Sequence, residues 1–352
     1  MSKYWTDLVK TIKPYVPGEQ PKNQQFIKLN TNENPYPPSP RVIEAIQSVT
    51  NDTLRLYPDP NCDVFCHALA KYFNLKREQI FVGNGSDEVL AFVFPAFFVG
   101  EKPILFPDIT YSFYPVYSEM FKVQYETVPV DDDFAIPVKG FCKDNGGILI
   151  PNPNAPTARQ IPLEDIRTIL SENLDQVVVI DEAYVDFGGD SAVGLIDEFP
   201  NLLVVQTLSK SRSLAGLRVG YALGHVDLIE GLNRVKNSIN SYTLDRLALA
   251  GATEAINDDA YFQTTRTQII KTRERVVNQL NSLAFTVIPS TANFIFIRHE
   301  SRKAKDLQAQ LRERGILVRY FDKPRIDNYL RVSIGSDSEM DAFIEALKDI
   351  IG

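Results

Sequence analysis

Four short apolar runs in this chain each stop abruptly at a polar cluster, and that pattern constrains the fold more than any other feature. Ile80-Phe81-Val82 runs into Gly83–Glu88, and Gly147–Ile150 runs into Asn152–Thr157. Gln176–Ile180 runs into Asp181–Tyr184, and Leu202–Gln206 opens the loop that carries Ser209 and Lys210. Continuous apolar runs without alternation read as strands buried on both faces. Helical patterns lie between them at Val64–Phe73, Val89–Phe98, through Tyr114 and Tyr117, and at Leu163–Leu170. The alternation predicts an α/β fold with a mostly parallel central sheet sandwiched by helices. In such sheets ligands bind outside the carboxyl ends of the strands, and all four polar clusters fall there.

Further strands are expected at Pro103–Phe106, Val123–Val130 and Leu217–Leu223, and a helix at Arg41–Val49. Residues 1–30 read as an irregular N-terminal arm with a short amphipathic helix, followed by the asparagine-dense turn Lys28–Pro35. From about Ala260 the texture changes. A long charged helical pattern (Ala260–Leu283) precedes short strands and helices, including Leu317-Val318-Arg319 and Tyr329–Ile334. The expected division is an arm at 1–30, a large domain at 31–258 and a smaller α+β domain at 259–352.

Composition excludes several functions. A net charge of −8 leaves no basic surplus to neutralise phosphates, so no nucleic-acid partner is expected. No run reaches membrane-spanning length, and the N-terminus lacks the apolar core of a signal peptide, so no membrane partner is expected either. The three cysteines, Cys62, Cys66 and Cys142, follow no disulfide or zinc-ribbon spacing, which suits a reducing cytoplasm. A metal site from Cys62, Cys66 and His67 competes with ordinary helical packing, and packing is the expected outcome; no metal is expected.

The convergent clusters suggest one ligand chemistry. Lys210 lies just past a strand end between Ser209 and Ser211, with Arg218 eight residues on. A strand followed by glycines and a helix start bearing Ser86 and Asp87 makes an anion seat, because the free N–H groups and the helix dipole both favour negative charge. Pyridoxal phosphate needs such a set: an amine for its aldehyde, a buried carboxylate for its ring nitrogen, donors for its ring oxygen and an anion seat. A nicotinamide-binding fingerprint fits less well, since Glu88 stands where the third glycine of Gly83-x-Gly85 is required.

The order of motifs carries a resemblance. KLNTNENPYPPSP, LRLYPDP, FVGNGSDEVL, PNPNAPT, VVVIDEAYVDF, TLSKSRSLAGLRVG, ANFIFI and LRVSIG span nearly the whole chain. Together they resemble the fold-type I pyridoxal-phosphate aminotransferases of class II, most closely the histidinol-phosphate aminotransferases. The resemblance implies a homodimer with shared active sites, acting on small amino-acid or amino-phosphate substrates and a 2-oxo acid. The implied reaction moves the amino group of histidinol phosphate to 2-oxoglutarate, a step of histidine biosynthesis. An aromatic or broad-range aminotransferase, or a phosphothreonine decarboxylase, uses the same cofactor residues and stands as the alternative.

The resemblance also assigns roles. Lys210 is expected to form the internal aldimine and then shuttle a proton, and Asp181 to pair with the ring nitrogen. Tyr184 and Asn154 are expected at the ring oxygen, and Tyr111 stacked on the ring. Ser86, Asp87, Ser209 and Arg218 are expected at the phosphate, joined by Tyr57 of the other subunit. Arg331 is expected to bind the acidic end of the substrates, with Arg319, Tyr15 and Asn32 as further substrate-side candidates. Each has a plainer reading: Asp181 as a helix cap, Tyr184 as a core-edge tyrosine, Arg331 as a surface residue in a salt bridge. Two positions depart from the family pattern. Ala155 stands where an asparagine precedes Pro-Thr-Gly, and Ala158 replaces that glycine. Arg212 adds a cation two residues after Lys210, with no role that the sequence supplies.

Overall fold

The computed structural model describes residues 2–21 and 26–352; position 1 and positions 22–25 of the expected arm lie outside the described residues. The chain opens with the single-turn helix α1 (Asp7–Thr11) and the short strand β1 (Ile27–Leu29). Helices α2 (Pro40–Ser48) and α3 (Asp63–Phe73) lead to strand β2 (Ile80–Asn84), helix α4 (Gly85–Val93) and strand β3 (Ile104–Pro107). Next come α5 (Phe113–Phe121), β4 (Tyr125–Val128), β5 (Ile148–Pro151), α6 (Leu163–Ser171), β6 (Val178–Asp181) and β7 (Leu202–Thr207). Strand β8 (Val219–Gly224) precedes the helices α7 (Val226–Ile239), α8 (Arg246–Asn257) and α9 (Asp259–Asn281). The remainder is β9 (Phe285–Ile288), β10 (Phe294–His299), α10 (Ala304–Glu313), β11 (Ile316–Tyr320), β12 (Leu330–Ser333) and α11 (Asp337–Ile351).

Seven strands form the large sheet in the order β2-β8-β7-β6-β5-β3-β4. All neighbours are parallel except β8, which runs antiparallel to both β2 and β7. The exception has a local cause. Only the loop Leu208–Arg218 separates β7 from β8, with no crossover helix to bring the chain back to the same end. Lys210 lies in that loop. Alternate residues feed two different cores: Val178 and Ile180 pack on one face of the sheet, and Val179 packs on the other with Phe81, Phe106 and Leu203. A sheet buried on both faces explains the unbroken apolar runs.

The second sheet has the order β1-β11-β12-β10-β9, and β1 pairs in parallel with β11. Leu29 therefore joins the core of the C-terminal half, with Ile295, Ile297, Val332 and the apolar sides of α9 and α11. Helix ends follow their capping residues. Ser39 accepts from the Arg41 N–H ahead of Pro40, and Ser336 and Glu339 form a capping box at α11.

Several boundaries differ from the sequence reading. The helix expected at Val89–Phe98 begins at Gly85, directly on the strand end, and finishes as a π-helical turn over Phe94–Phe98. Helices α7 and α8 occupy a stretch to which no element was assigned, and β1 occupies part of the expected polar turn.

Candidate active site

The carboxyl ends of β5, β6 and β7 face the second sheet across a cavity of about 210 Å³. The strands are rigid and fully buried, so the side chains just past their ends are held in place by the sheet itself. Lys210 follows β7, Asp181 ends β6 and Tyr184 follows it, and all three line this cavity. Ser86 and Asp87 enter from the start of α4, Tyr111 from the segment after β3, and Ser209 and Arg218 from the two ends of the lysine loop. The second sheet contributes Arg319 and Arg331, and the N-terminal segment contributes Tyr15 and Asn32.

Lys210 Nζ donates to the carbonyl of Thr31 at 3.4 Å and lies 5.8 Å from the Tyr184 ring centroid. Its loop is tied down by Asn34, whose Nδ2 donates to the carbonyls of Lys210 (3.0 Å) and Ser211 (3.2 Å). The asparagine-dense turn thus positions the lysine loop through Asn34, a residue that the sequence reading did not single out.

Asp181 is 5% exposed. Its carboxylate accepts from Tyr114 Oη at 2.8 Å and from the Ala183 N–H at 3.2 Å, while burial pushes its pKa up to about 6. Among the described residues no salt bridge neutralises it, so it is neither a helix cap nor a paired structural ion. An acidic group buried without a cation fits a ligand that brings a ring N–H with positive charge. Tyr114, which fixes the carboxylate, was missed as a site residue because in sequence it is one aromatic among several on α5. Next to Asp181, Glu182 is pushed up to about 7 by burial but is fully engaged by Ser191 Oγ, the Ala192 N–H and Gln206 Nε2.

Two anion seats are built from different sheets. At the first, α4 presents its opening N–H groups beside Arg218. Arg218 donates to Asp87 at 3.0 Å, and Tyr111 Oη donates to the other Asp87 oxygen at 3.0 Å, so the Asp87 carboxylate orients these two groups. The backbone is close-fitted here. Gly85 has φ +79°, a Cβ on it would lie 2.6 Å from Arg218 Nη2, and a Cβ on Gly220 would collide with the Ser86 backbone. At the second seat, Arg319 and Arg331 stand opposite each other on β11 and β12. Arg331 donates to the Asn30 carbonyl at 2.9 Å and packs between Phe294 and Phe321. Burial lowers its pKa, and Arg319 acts in the same direction. Arg331 makes no salt bridge among the described residues, unlike an ordinary surface arginine, and its Nε is buried without a partner. Two adjacent cations without a counter-ion favour an anionic ligand group.

Asn154 does not line the cavity. It is fully buried, and its Nδ2 donates to the Ile109 carbonyl (2.9 Å) and Thr157 Oγ1 (3.0 Å), leaving Ala155 on the cavity wall. Tyr57, expected at the other subunit's phosphate, is 79% exposed, stacks on Tyr242 at 4.6 Å and does not line the cavity of its own chain. Arg212 does not join Lys210. It turns away to donate to the Ala255 carbonyl at 2.7 Å, with its guanidinium 3.6 Å from the Phe262 ring centroid. Arg212 therefore joins the lysine loop to α8 and α9. We expect Arg212→Ala to lower unfolding stability by about 2–4 kcal/mol, measured by denaturant titration.

The donor set fits pyridoxal phosphate on three counts: an amine beside a cavity, a buried carboxylate lacking a cation, and a helix-start anion seat with an arginine. No group of three or more His, Cys, Asp or Glu side chains arranged to hold a metal is found among the described residues.

Comparison with known proteins agrees with this geometry. The family model described as "Aminotransferase class I and II" matches residues 24–347. The chain is 59% identical over 351 residues to a histidinol-phosphate aminotransferase of Clostridium acetobutylicum, covering all of both chains. It is 58% identical to that of Clostridium beijerinckii, covering all of this chain and 98% of the other. In structure it is similar to the histidinol-phosphate aminotransferase of Sinorhizobium meliloti in complex with pyridoxal-5'-phosphate. That match has a TM-score of 0.89 over all of this chain and 98% of the other, at 24% identity, a likeness of fold.

Proposed function

The chain belongs to the class I and II aminotransferases, and from that premise we propose that it transfers the amino group of histidinol phosphate to 2-oxoglutarate. The products are imidazole acetol phosphate and glutamate. The observation that carries this reading is the meeting of Lys210, Asp181 and Tyr184 in one cavity with anion seats on both sheets. The full-length identity to two histidinol-phosphate aminotransferases supports the substrate.

When bound, pyridoxal phosphate supplies an aldehyde for amine exchange and a protonated ring that draws electrons from the carbon being deprotonated. The chain's residues do the rest. Ser86, Ser209, Arg218 and the first N–H groups of α4 would hold the phosphate, with Arg218 oriented by the Asp87 carboxylate. Tyr111 would cover the ring. The Asp181 carboxylate would keep a proton on the ring nitrogen, and Tyr184 would donate to the ring oxygen. With Asn154 turned into the protein and Ala155 on the wall, Tyr184 would make that oxygen contact without an asparagine. With the cofactor bound, Lys210 would serve as the general base for the proton on substrate Cα and then as the acid that returns it. Arg331 and Arg319 bind the acidic end of each substrate in turn, phosphate in one half-reaction and carboxylate in the other, with Tyr15 and Asn32 on the substrate side.

The same proposal includes a division into an arm (1–30), a large domain (31–258) and a small domain (259–352), with β1 of the arm docked on the small sheet. It includes a homodimer in which Tyr57 reaches the other subunit's phosphate. The exposed apolar side chains Leu54, Leu56, Tyr57 and Val64, clustered in one stretch of chain, support such an interface. A cytoplasmic location is supported by three free cysteines, two of them buried. No helix among the described residues is long and apolar enough to cross a membrane.

Substrate identity is tested by assaying the cofactor-loaded enzyme with histidinol phosphate, phenylalanine, tyrosine and phosphothreonine. Turnover with histidinol phosphate well above the others is expected, and a preference for an aromatic amino acid or decarboxylation of phosphothreonine would replace this reading. In the same assay Arg331→Gln is expected to raise KM for both histidinol phosphate and 2-oxoglutarate by about 10²-fold, because each loses a charge-assisted hydrogen bond.

A further inference from the structure

The hydrogen bonds around Tyr184 form a chain through Asn32 to Ser333. The Asn32 N–H donates to Ser333 Oγ at 2.8 Å. The Ser333 hydroxyl donates to Asn32 Oδ1 at 3.1 Å, with the Asn32 Nδ2 facing Tyr184. Nδ2 donates to Tyr184 Oη at 3.1 Å. The tyrosine oxygen, having accepted there, has one hydrogen left to place, and Tyr184 borders the cavity. Both relay residues are buried: Asn32 is 1% exposed and Ser333 2%. Asn32 holds a left-handed backbone (φ +56°), and its carbonyl is pinned by Asn293 Nδ2 at 3.0 Å. A hydroxyl flanked by an amide donor has no reason to point its hydrogen backwards.

We propose that Ser333 is a positioning residue that fixes the Asn32 amide so that Tyr184 donates its hydrogen into the cavity. Ser333 lies on β12, two residues after Arg331, so the small sheet that holds the substrate's anion also sets the direction of a donor at the large-sheet edge. The inference rests on the reading that Tyr184 faces the ring oxygen of pyridoxal phosphate. It adds residues that never touch the cofactor. A donor aimed at that oxygen stabilises negative charge on it and so weakens the hold on the nearby proton of the lysine–cofactor linkage. Losing the donor raises the pH at which that proton leaves.

The test is a pH titration of the visible absorption of cofactor-loaded protein, read without substrate. In Asn32→Asp a carboxylate oxygen replaces Nδ2, accepts the Tyr184 hydrogen and turns it away from the cavity. The titration midpoint is expected to rise by about one pH unit. Ser333→Ala frees the Asn32 amide without adding charge and is expected to raise the midpoint in the same direction by less, while Ser333→Thr restores it. In a Tyr184→Phe background Asn32→Asp is expected to lose most of its effect. Unchanged midpoints in Asn32→Asp and Ser333→Ala would overturn the relay, as would a full Asn32→Asp shift surviving in Tyr184→Phe, which would mark it as the effect of added charge. A wild-type protein with no visible band at all would instead overturn the cofactor reading on which the relay rests.

Discussion

Replacing Lys210 by alanine is expected to lower turnover of histidinol phosphate by roughly 10⁴-fold, with little change in folding stability. Lys210 lies in the loop that joins β7 to its antiparallel neighbour β8, and its backbone is held by Asn34 rather than by its own side chain. Its amine makes one long hydrogen bond, to the Thr31 carbonyl at 3.4 Å, and no ion pair among the described residues. Little structure therefore depends on it, while the proposed chemistry depends on it twice, as the amine that holds the cofactor and as the base at substrate Cα. The check is single-turnover kinetics together with borohydride treatment. In wild type, reduction is expected to fix the cofactor to the peptide containing Lys210; in Lys210→Ala no peptide is labelled. Retention of most activity would remove the lysine from the mechanism.

The second large effect is expected at Asp181. Asp181→Asn keeps the shape and the hydrogen bond from Tyr114 within reach, but removes the charge that keeps the ring nitrogen protonated. Turnover is expected to fall by about 10²–10³-fold, the scale of losing one preorganised electrostatic contact. Stability should move the other way. Burial raises the folded-state pKa of Asp181 to about 6, above the ordinary aspartate value near 3.9. In the cofactor-free protein the stability linked to its proton is therefore fully present below about pH 4. It is lost as pH rises through about 6, because folding then leaves an ionised carboxylate buried. Asp181→Asn is expected to abolish this fall and to make the cofactor-free protein about 2–3 kcal/mol more stable at pH 7. Glu182 is untouched and keeps its own contribution, so the difference between the two proteins isolates Asp181. A variant that is more stable yet nearly inactive would identify a group kept for chemistry. Equal activity in Asp181→Asn and wild type would contradict the assigned role.

Much of this site was legible from the sequence because strand-end residues need no long-range information. A buried parallel strand announces itself as an apolar run, and whatever follows it must face the carboxyl edge of the sheet. That logic brought Ser86, Asp181, Tyr184, Ser209 and Lys210 to one place, and the structure has them around one cavity. Side-chain direction was not legible. Asn154 and Ala155 are neighbours, and only packing decides that the alanine faces the ligand while the asparagine bonds to Ile109. Arg212 lies two residues from the lysine, yet its partners Ala255 and Phe262 are distant in sequence. Strand β1 escaped because three residues at a sheet edge carry too short a pattern, and its partner β11 is almost the whole chain away. Helix α8 escaped for another reason. Its buried face is made of small residues, Ala248, Gly251, Ala252 and Ala255, which let α2 approach closely but give a weak hydrophobic period.

The central claim is that this cavity exchanges an amino group between pyridoxal phosphate and histidinol phosphate. The most direct test is to mix the cofactor-loaded protein with histidinol phosphate, without any 2-oxo acid, and record the visible spectrum. The band of the lysine-linked cofactor is expected to disappear as one amino group is transferred per site, and to return on adding 2-oxoglutarate. A band that histidinol phosphate leaves unchanged, in protein that retains its cofactor, would contradict it.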